Sequence, residues 1–304
     1  MTTRMPHTVS GVSSGGYMAV QHHVVYSKDV DAAGVIAGGP FWCANALLGI
    51  AISACETTPE LIIVPELVTI THTTALSGFI DPPSNLKNDR AWLFSGSSDT
   101  TVSPGVVRKL GEYYRSFIAD ANNVVEHYNI PAAHSFVTDG WGSPCGFTGS
   151  PYINDCSYDA AGAILQHAYN DSKLRLPVPA PQANLLTVDQ KGYAPVVGLL
   201  AAGLAEKGFV YVPTGCAGVR RKGRRGVAKL GRGEVERDEE REGSGACRLH
   251  VAYHGCEQSV DVLNNTFVTR AGYNGWAEAN RIVVLYPQAT ATPLNPKGCW
   301  DWWG

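Results

Sequence analysis

The sequence predicts an α/β fold with a mainly parallel central sheet. Short runs of β-branched and aromatic residues alternate along the chain with amphipathic stretches of helical length, which is the pattern of parallel strands joined by crossover helices. Of the 304 residues, 44% are hydrophobic and only 17% are charged, so the chain can bury a large core and is not disordered as a whole. We expect a single catalytic domain over residues 1–304.

Strands and helices are predicted in turn along the chain. A strand is expected where a short β-rich run ends in a turn residue, and a helix where apolar residues recur every three or four positions. The predicted strands are Thr8–Ser10, Ala32–Ala37, Ala91–Phe94, Val124–Tyr128, Phe209–Val212, Arg248–Tyr253 and Ile282–Tyr286. The predicted helices are Gly15–Ser27, Pro104–Ile118, Tyr158–Tyr169 and Val268–Asn280. Residues 60–78 are ambiguous, because Leu61–Val64 suits a strand and the stretch after it suits a helix.

Charge is distributed unevenly along the chain. The net charge of −3 gives no reason to expect nucleic acid or an anionic membrane as a partner. The longest apolar run, 194–205, is shorter than the roughly 20 residues that span a bilayer. Half of the positions in 217–246 are charged and none form an apolar stripe, so this segment is predicted to be a disordered surface insertion. A basic nucleic-acid arm is the alternative, but acidic residues offset its second half.

The chain contains eight cysteines, without a CxxC pair or a Cys/His spacing typical of zinc sites. Low charge together with this many cysteines is typical of secreted, disulfide-bonded proteins, and buried free thiols in a cytosolic protein are the alternative. Eight cysteines allow 105 connectivities. We favour sequential pairing: Cys43 with Cys55, Cys145 with Cys156, Cys216 with Cys247, and Cys256 with Cys299.

Two sequons are compatible with export and glycosylation, at Asn170 and Asn264. Residues 1–10 contain no apolar signal core, so we expect no signal peptide in this chain. Either the signal was removed, or the N-terminus is incomplete, or export is wrong. The expected extracellular location therefore depends on the cysteines and the low charge.

The most informative motif is a glycine-flanked serine near the start of the chain. The segment Gly11–Gly15 (GVSSG) matches G-x-S-x-G, the nucleophile elbow, in which a sharp turn from strand to helix exposes a serine oxygen. The helix that follows places its N-terminus beside negative charge developing on the substrate. Ser13 occupies the central position and is the predicted nucleophile. Ser14 is the alternative, but it lies off the central position.

A serine nucleophile needs a histidine base and an acid that orients the histidine. In α/β-hydrolases these partners follow in the order serine, acid, histidine, on loops after later strands. Asp99 follows the third predicted strand and His134 follows the fourth, so both are expected at the sheet edge that carries the serine. Asp120 and Asp139 are the rival acids, but Asp120 closes a helix and Asp139 follows the histidine.

A second turn with a candidate catalytic role lies in the C-terminal part of the chain. The strand Arg248–Tyr253 runs into His254, Gly255 and Cys256, an arrangement that resembles the oxyanion strand of lipases and esterases. His254 is an alternative base, but its place in a strand-to-turn segment favours a scaffold role. The oxyanion strand of most α/β-hydrolases precedes the elbow, whereas here it follows it by some 240 residues. The sequence therefore predicts a circularly permuted α/β-hydrolase.

The chain also resembles a known family. The resemblance is carried by seven segments: SGVSSGGYM, IAGGP, SGSSDTTV, SPYINDCSYDAAGA, HVAYHGCEQS, YNGWAEANRIVVLYPQA and NPKGCWDWWG. These look like the single-domain fungal poly(3-hydroxybutyrate) depolymerases over most of residues 8–304. The resemblance implies the same circularly permuted fold. It also implies roles for six residues: Ser13 as nucleophile, Asp99 as acid, His134 as base, the Ser14 and Cys256 backbone amides as the oxyanion hole, and Trp302 in the substrate crevice.

The sequence therefore predicts a secreted serine esterase that hydrolyses poly(3-hydroxybutyrate) or related short-chain polyhydroxyalkanoates through an acyl-enzyme. Its expected partner is a polyester surface or its oligomers, and we expect a monomer without metal or cofactor. Because a triad does not define the substrate, an esterase for feruloyl or acetyl groups of plant cell walls is the first alternative. A catalytically silent binding homologue is the second.

Overall fold

The computed structural model of the chain describes residues 6–193, 198–200, 202–217 and 246–303. The strands are β1 His7–Val12, β2 Val30–Ile36, β3 Arg90–Phe94, β4 Val124–His127, β5 Phe136–Thr138, β6 Ser143–Pro144, β7 Ile153–Asp155, β8 Leu185–Asp189, β9 Lys207–Tyr211, β10 Arg248–Tyr253 and β11 Ile282–Tyr286. The α-helices are α1 Ser14–Val25, α2 Leu48–Ala51, α3 Val64–Leu76, α4 Pro104–Arg115, α5 Ala160–Ala168, α6 Val260–Leu263, α7 Thr266–Arg270 and α8 Tyr273–Asn280.

Eight strands form the central sheet, in the order β8-β9-β11-β10-β1-β2-β3-β4. The neighbours from β11 to β4 are parallel, whereas β9 runs antiparallel to both of its neighbours. The short strands β5, β7 and β6 form a second, parallel sheet. Six of the seven residues of β2 are buried, as expected for a central strand covered on both faces. This is the mainly parallel α/β sheet that the sequence predicted.

The chain enters the sheet at its centre. The first strand, β1, pairs on one side with β2 and on the other with β10, where Val9 lies opposite Val251. The strand that leads into the His254 turn therefore lies beside the strand that leads into Ser13, although some 240 residues separate them. This arrangement is the circular permutation that the sequence predicted.

Most predicted elements are present with ends shifted by a few residues. The predicted helix Val268–Asn280 was wrong as a single element: α7 and α8 are separated at Gly272, whose φ of 93° interrupts a helix. Leu61–Val64 is not a strand, because a 3₁₀ turn at Pro59–Leu61 leads directly into α3. The strands β5 to β8 were not predicted, since segments of two to five residues carry little periodicity.

Most of the predicted insertion at 217–246 lies outside the described residues, which resume at residue 246. The assignment of 1–304 to one catalytic domain stays a prediction. Among the helices that the structure describes, none combines the length and the hydrophobicity that crossing a membrane requires.

Four disulfides close loops of the molecule. Their pairs are those that the sequence favoured: Cys43–Cys55, Cys145–Cys156, Cys216–Cys247 and Cys256–Cys299. The first bridge closes the loop that contains α2, and the second closes the loop that contains β7. The fourth ties the turn after β10 to the C-terminal segment, so three bridges stabilise loops at the carboxyl edge of the sheet.

Buried polar side chains link β1 to β10 in the centre of the sheet. His250 is fully buried, with Nδ1 2.7 Å from the Thr8 hydroxyl and Nε2 2.7 Å from the Ser10 hydroxyl. The Ser10 hydroxyl also lies 2.6 Å from the Tyr273 hydroxyl. Burial lowers the pKa of His250 to about 3, so the imidazole is neutral at ordinary pH. A neutral histidine bonded to two hydroxyls fixes the register of these central strands.

Candidate active site

Ser13 lies at the sharp turn between β1 and α1. Its φ of 57° and ψ of −126° fall in a sparsely populated region for a residue with a side chain. The Ser13 amide donates to the carbonyl of Ile36 at 2.9 Å, and the Ser13 carbonyl accepts from the amide of Tyr17 at 3.0 Å. The turn is therefore held from β2 on one side and from the first turn of α1 on the other.

Glycines allow α1 to approach the sheet closely at this turn. A Cβ at Gly11 would lie 2.1 Å from the carbonyl oxygen of Gly15, and a Cβ at Gly15 would lie 2.3 Å from the carbonyl oxygen of His254. Both contacts are with backbone atoms, which have no flexible end to move away. The glycines of the elbow motif therefore bring the serine turn against the turn after β10.

Asp99 and His134 are hydrogen-bonded to each other. The His134 Nδ1 donates to the Asp99 Oδ2 at 2.8 Å, and both residues are buried, with 6% and 5% exposure. The other carboxylate oxygen of Asp99 accepts from the amides of Thr101 and Val102, each at 2.9 Å. These bonds fix the orientation of the carboxylate toward the histidine. The proton on Nδ1 leaves Nε2 of His134 free to accept one.

The loop that carries the acid and the loop that carries the histidine are joined by backbone hydrogen bonds. Ser97 donates to the carbonyl of Ile130 at 2.8 Å, and Ser98 donates to the carbonyl of Ala132 at 3.2 Å. These bonds continue the pairing of β3 with β4 past the ends of the strands. The distance between the acid and the histidine is therefore set by the sheet.

His254 joins the turn after β10 to the segment that follows β11. Its Nδ1 donates to the carbonyl of Gly255 at 2.7 Å, and its Nε2 accepts from the amide of Ala289 at 3.1 Å. The side chain is fully buried, and burial lowers its pKa to about 4, so the ring is neutral. With both nitrogens bonded to backbone, His254 has the geometry of a scaffold residue rather than a base.

Gln258, which the sequence analysis did not single out, holds the same turn from the other side. Its Oε1 accepts from the amide of Gly255 at 2.7 Å. Its Nε2 donates to the carbonyls of Pro151 and Tyr152, at 2.9 and 3.0 Å. The side chain is 1% exposed, so these three bonds form away from water. Gln258 thus connects the turn to the loop closed by the Cys145–Cys156 bridge.

That loop also holds the histidine. The amide of Ala133 donates to the carbonyl of Cys145 at 2.9 Å, and the amide of Phe136 donates to the carbonyl of Tyr152 at 2.9 Å. The residues on either side of His134 are therefore fixed by the loop to which Gln258 is bonded. One disulfide-closed loop positions both the histidine and the turn after β10.

A pocket of about 470 Å³ lies where these turns meet. Its lining includes Ser13 and His134 together with Ser14 and Cys256. Apolar residues from the Cys43–Cys55 loop and from the C-terminal segment form much of the wall: Leu48, Ala51, Ile52, Leu294, Trp302 and Trp303. The pocket is therefore suited to a largely apolar substrate with a carbonyl group near the serine.

Trp302 both packs and lines the pocket. Its ring is stacked on Tyr17, with centroids 3.8 Å apart and planes 14° apart, and the residue is 8% exposed. Tyr17 in turn donates a hydrogen bond from its hydroxyl to the carbonyl of Cys55. The tryptophan is thus part of a buried stack whose outer face meets the pocket.

A second residue that the sequence analysis did not single out is an acid in the pocket wall. Glu56 follows Cys55 and lines the same pocket as Ser13 and His134. Burial raises the pKa of its carboxyl, while the nearby His134 and Lys297 lower it. Nothing in the local sequence marks this glutamate, because only the folded disulfide loop brings it to the serine.

The remaining predicted or rival residues lie elsewhere. Asp120 accepts a hydrogen bond from the amide of Asn122, and Asp139 is exposed; the structure does not bring either to His134. The two sequon asparagines, Asn170 and Asn264, are exposed. A separate cleft of about 700 Å³ contains none of the predicted catalytic side chains. Within the described ranges, no group of three or more His, Cys, Asp or Glu residues could hold a metal ion.

Comparison with known proteins identifies the family. The chain is 34% identical over 314 aligned residues to the polyhydroxybutyrate depolymerase of Talaromyces funiculosus, covering 98% of this chain and 81% of that protein. This chain belongs to the polyhydroxybutyrate depolymerase family. It is also 41% identical over 299 residues to the poly(3-hydroxybutyrate) depolymerase of Delftia acidovorans, covering 98% of this chain. The chain spans 54% of that longer relative. No protein-family model matches the chain.

Solved depolymerase structures have the same fold. The PHB depolymerase from Penicillium funiculosum superposes with a TM-score of 0.78 at 31% identity, covering 99% of this chain and 90% of that one. A serine-to-alanine variant of PHB depolymerase complexed with an R3HB trimer superposes with a TM-score of 0.77, at the same identity and coverage. The similarity thus extends along the depolymerase chain from the elbow to the C-terminal tryptophans.

Proposed function

We propose that this chain is a serine esterase that hydrolyses ester bonds of poly(3-hydroxybutyrate) or related short-chain polyhydroxyalkanoates through an acyl-enzyme. The observation that carries the proposal is the 2.8 Å hydrogen bond from His134 to Asp99 beside a pocket that Ser13 lines. Membership of the depolymerase family supports the choice of polyester as substrate. The complex of a related depolymerase with an R3HB trimer supports a short ester oligomer as the occupant of the pocket.

In the first step, the Ser13 Oγ attacks the ester carbonyl carbon while the Nε2 of His134 accepts the hydroxyl proton. Asp99 keeps the other ring proton on Nδ1 and stabilises the imidazolium that forms. The two backbone amides bonded to its other oxygen hold the Asp99 carboxylate in place while the histidine changes charge. The imidazolium then protonates the leaving alkoxide, and the acyl group remains on Ser13.

The negative oxygen of the tetrahedral intermediate needs hydrogen-bond donors. Ser14 is the first residue of α1, a position whose amide has no acceptor within the helix. Cys256 lies in the turn that His254 and Gln258 hold, and both Ser14 and Cys256 line the pocket. We assign the two amides to the oxyanion hole, where loss of one donor typically costs about 10²–10³ in kcat.

In the second step, water replaces the alcohol. His134 accepts a proton from the water as its oxygen attacks the acyl carbon, and the same two amides hold the oxyanion. Collapse of the intermediate returns the proton to Ser13 and releases the hydroxyacid. Trp302 lies in the pocket wall and is assigned to contact with the acyl or alcohol chain. We propose that the enzyme acts outside the cell as a monomer, with the four disulfides supporting the location.

A fluorophosphonate probe and a polymer assay together test the proposal. The probe should label Ser13 in the wild-type chain and fail to label Ser13→Ala, whereas Ser14→Ala, the matched control, should still be labelled. Release of 3-hydroxybutyrate from polymer granules should fall by about 10⁴-fold or more in Ser13→Ala and in His134→Ala. Labelling without polymer hydrolysis, but with activity on feruloyl or acetyl esters, would reassign the substrate. Absence of labelling in the wild type would reduce the chain to a binding homologue.

A further inference from the structure

The pocket contains a carboxylate that the proposed reaction does not use. Glu56 directly follows the bridged Cys55, and its backbone carbonyl accepts from the amide of Ser103 at 2.7 Å. The disulfide on one side and this bond on the other fix the backbone at Glu56. Glu56 lines the pocket together with Ser13 and His134 and interacts electrostatically with His134, so its carboxyl lies near the reacting groups.

The charges around the pocket are unequal. Glu56 interacts electrostatically with His134, Asp99 and Lys297. The Lys297 ammonium lies 3.2 Å from the carboxylate of Glu257, so an ion pair already offsets its charge. Among the residues that line the pocket, two carboxylates, Glu56 and Glu257, accompany a single ammonium, that of Lys297. Burial raises the pKa of the Glu56 carboxyl, which means that this charge is already poorly solvated before any second anion arrives.

Hydrolysis itself creates a second anion in this pocket. When water cleaves the acyl–Ser13 ester, the new acid loses its proton to solvent by way of His134 and becomes a carboxylate. The substrate has no charge at this point of its chain, because the same carbonyl is an ester. A fixed negative charge beside the serine therefore acts differently on substrate and product.

We propose that Glu56 is a specificity-determining residue that makes the pocket accept neutral acyl chains and expel the carboxylate product. The inference rests on the proposed esterase activity and deepens it. The proposal predicts that the pocket prefers acyl units inside the polyester chain, which are flanked by esters, over terminal units that place a free carboxylate near the serine. Repulsion between two like charges several ångströms apart at a protein–water boundary changes binding by about tenfold.

Product inhibition of Glu56→Gln tests the inference. The assay uses a neutral aryl butyrate as substrate at about pH 8, where free carboxylic acids are ionised. The inhibition constant for the 3-hydroxybutyrate anion should fall about tenfold in the variant, because glutamine keeps the shape and removes the charge. The inhibition constant for 3-hydroxybutyramide, a neutral analogue, should stay within about twofold of the wild-type value.

Glu60→Gln is the matched control, since Glu60 is exposed and does not line this pocket. It should leave both inhibition constants unchanged. Equal constants for the anion in Glu56→Gln and the wild type would overturn the inference. So would equal tightening of the anion and the amide, because that result would mean that Glu56 acts through shape.

The test separates this inference from the proposed function. If the wild-type chain does not hydrolyse the aryl ester, the proposed function fails on that measurement alone. Calorimetric titration of 3-hydroxybutyrate and of its amide into both proteins then still measures the effect of the Glu56 charge. A melting curve for each variant ensures that a folded protein is compared in every case.

Discussion

Replacing Cys256 and Cys299 together by alanine should lower the free energy of unfolding by about 4 kcal/mol, because the bridge closes a loop with a sequence separation of 43. The bridge between Cys216 and Cys247 closes a loop with a separation of 31, which gives nearly the same value in the chain-entropy model. For a protein of this size, each loss should lower Tm by about 6 °C. The two double variants are therefore matched in stability.

The two double variants differ in how close the lost bridge lies to the candidate active site. Cys256 and Cys299 line the pocket, and Cys256 supplies a proposed oxyanion donor, whereas Cys216 and Cys247 are not among the pocket residues. With both variants assayed well below their melting temperatures, the first should lose at least about tenfold in kcat on a soluble aryl ester, and the second should lose almost none. Equal activity of the two variants would refute the reasoning that the bridge positions the oxyanion turn. So would a melting temperature that only one of them lowers.

Three further predictions concern the buried polar groups and the aromatic wall. Gln258→Ala should lower kcat for a soluble ester by about 10²-fold with little change in KM, because the oxyanion turn loses its connection to the histidine loop. Steady-state kinetics measures both constants, and an increase in KM with unchanged kcat would contradict the prediction. His250 and His254 are neutral when folded, with pKa values of about 3 and 4, but take up protons below about pH 6.5 when unfolded, so stability should fall as pH decreases. Each histidine should lower the free energy of unfolding by about 2 kcal/mol between pH 7 and pH 5. Urea unfolding at the two pH values measures this, and coinciding midpoints would disprove it. Trp302→Ala should lower Tm by several degrees, because the buried stack with Tyr17 is lost. It should also reduce polymer hydrolysis more than aryl-ester hydrolysis, because Trp302 lines the pocket. Equal losses on the two substrates would mean that the tryptophan acts through packing alone.

The sequence predicted the features that local chemistry determines. Glycines on both sides of Ser13 are required because backbone atoms lie where a Cβ would be, so the motif appears in the sequence in a form that can be recognised. Asp99 and His134 were candidates because each follows a strand, and parallel strands end at one edge of a sheet. The structure brings Ser13 and His134 to one pocket and joins Asp99 to His134 by a hydrogen bond, while their catalytic roles stay a proposal.

Other features depend on contacts between distant segments, which leave little local signal. Gln258 acts through carbonyls of Pro151 and Tyr152, more than 100 positions away, and nothing in a glutamine after a cysteine indicates such partners. Glu56 reaches the pocket only because a disulfide folds its loop over the serine. The break between α7 and α8 depends on a left-handed Gly272, and glycine within an apolar pattern is compatible with a continuous helix.

The central position of β1 has a consequence for biosynthesis. A chain leaving the ribosome completes β1 and α1 first, and can add β2, β3 and β4 in turn on one side. The other neighbour, β10, emerges only after some 240 further residues, and Cys299 later still. Closing such a long loop is entropically unfavourable and slows folding. The serine is therefore made some 240 residues before the turn that we assign to the oxyanion hole, so hydrolytic competence is expected only after that turn has emerged and docked beside β1.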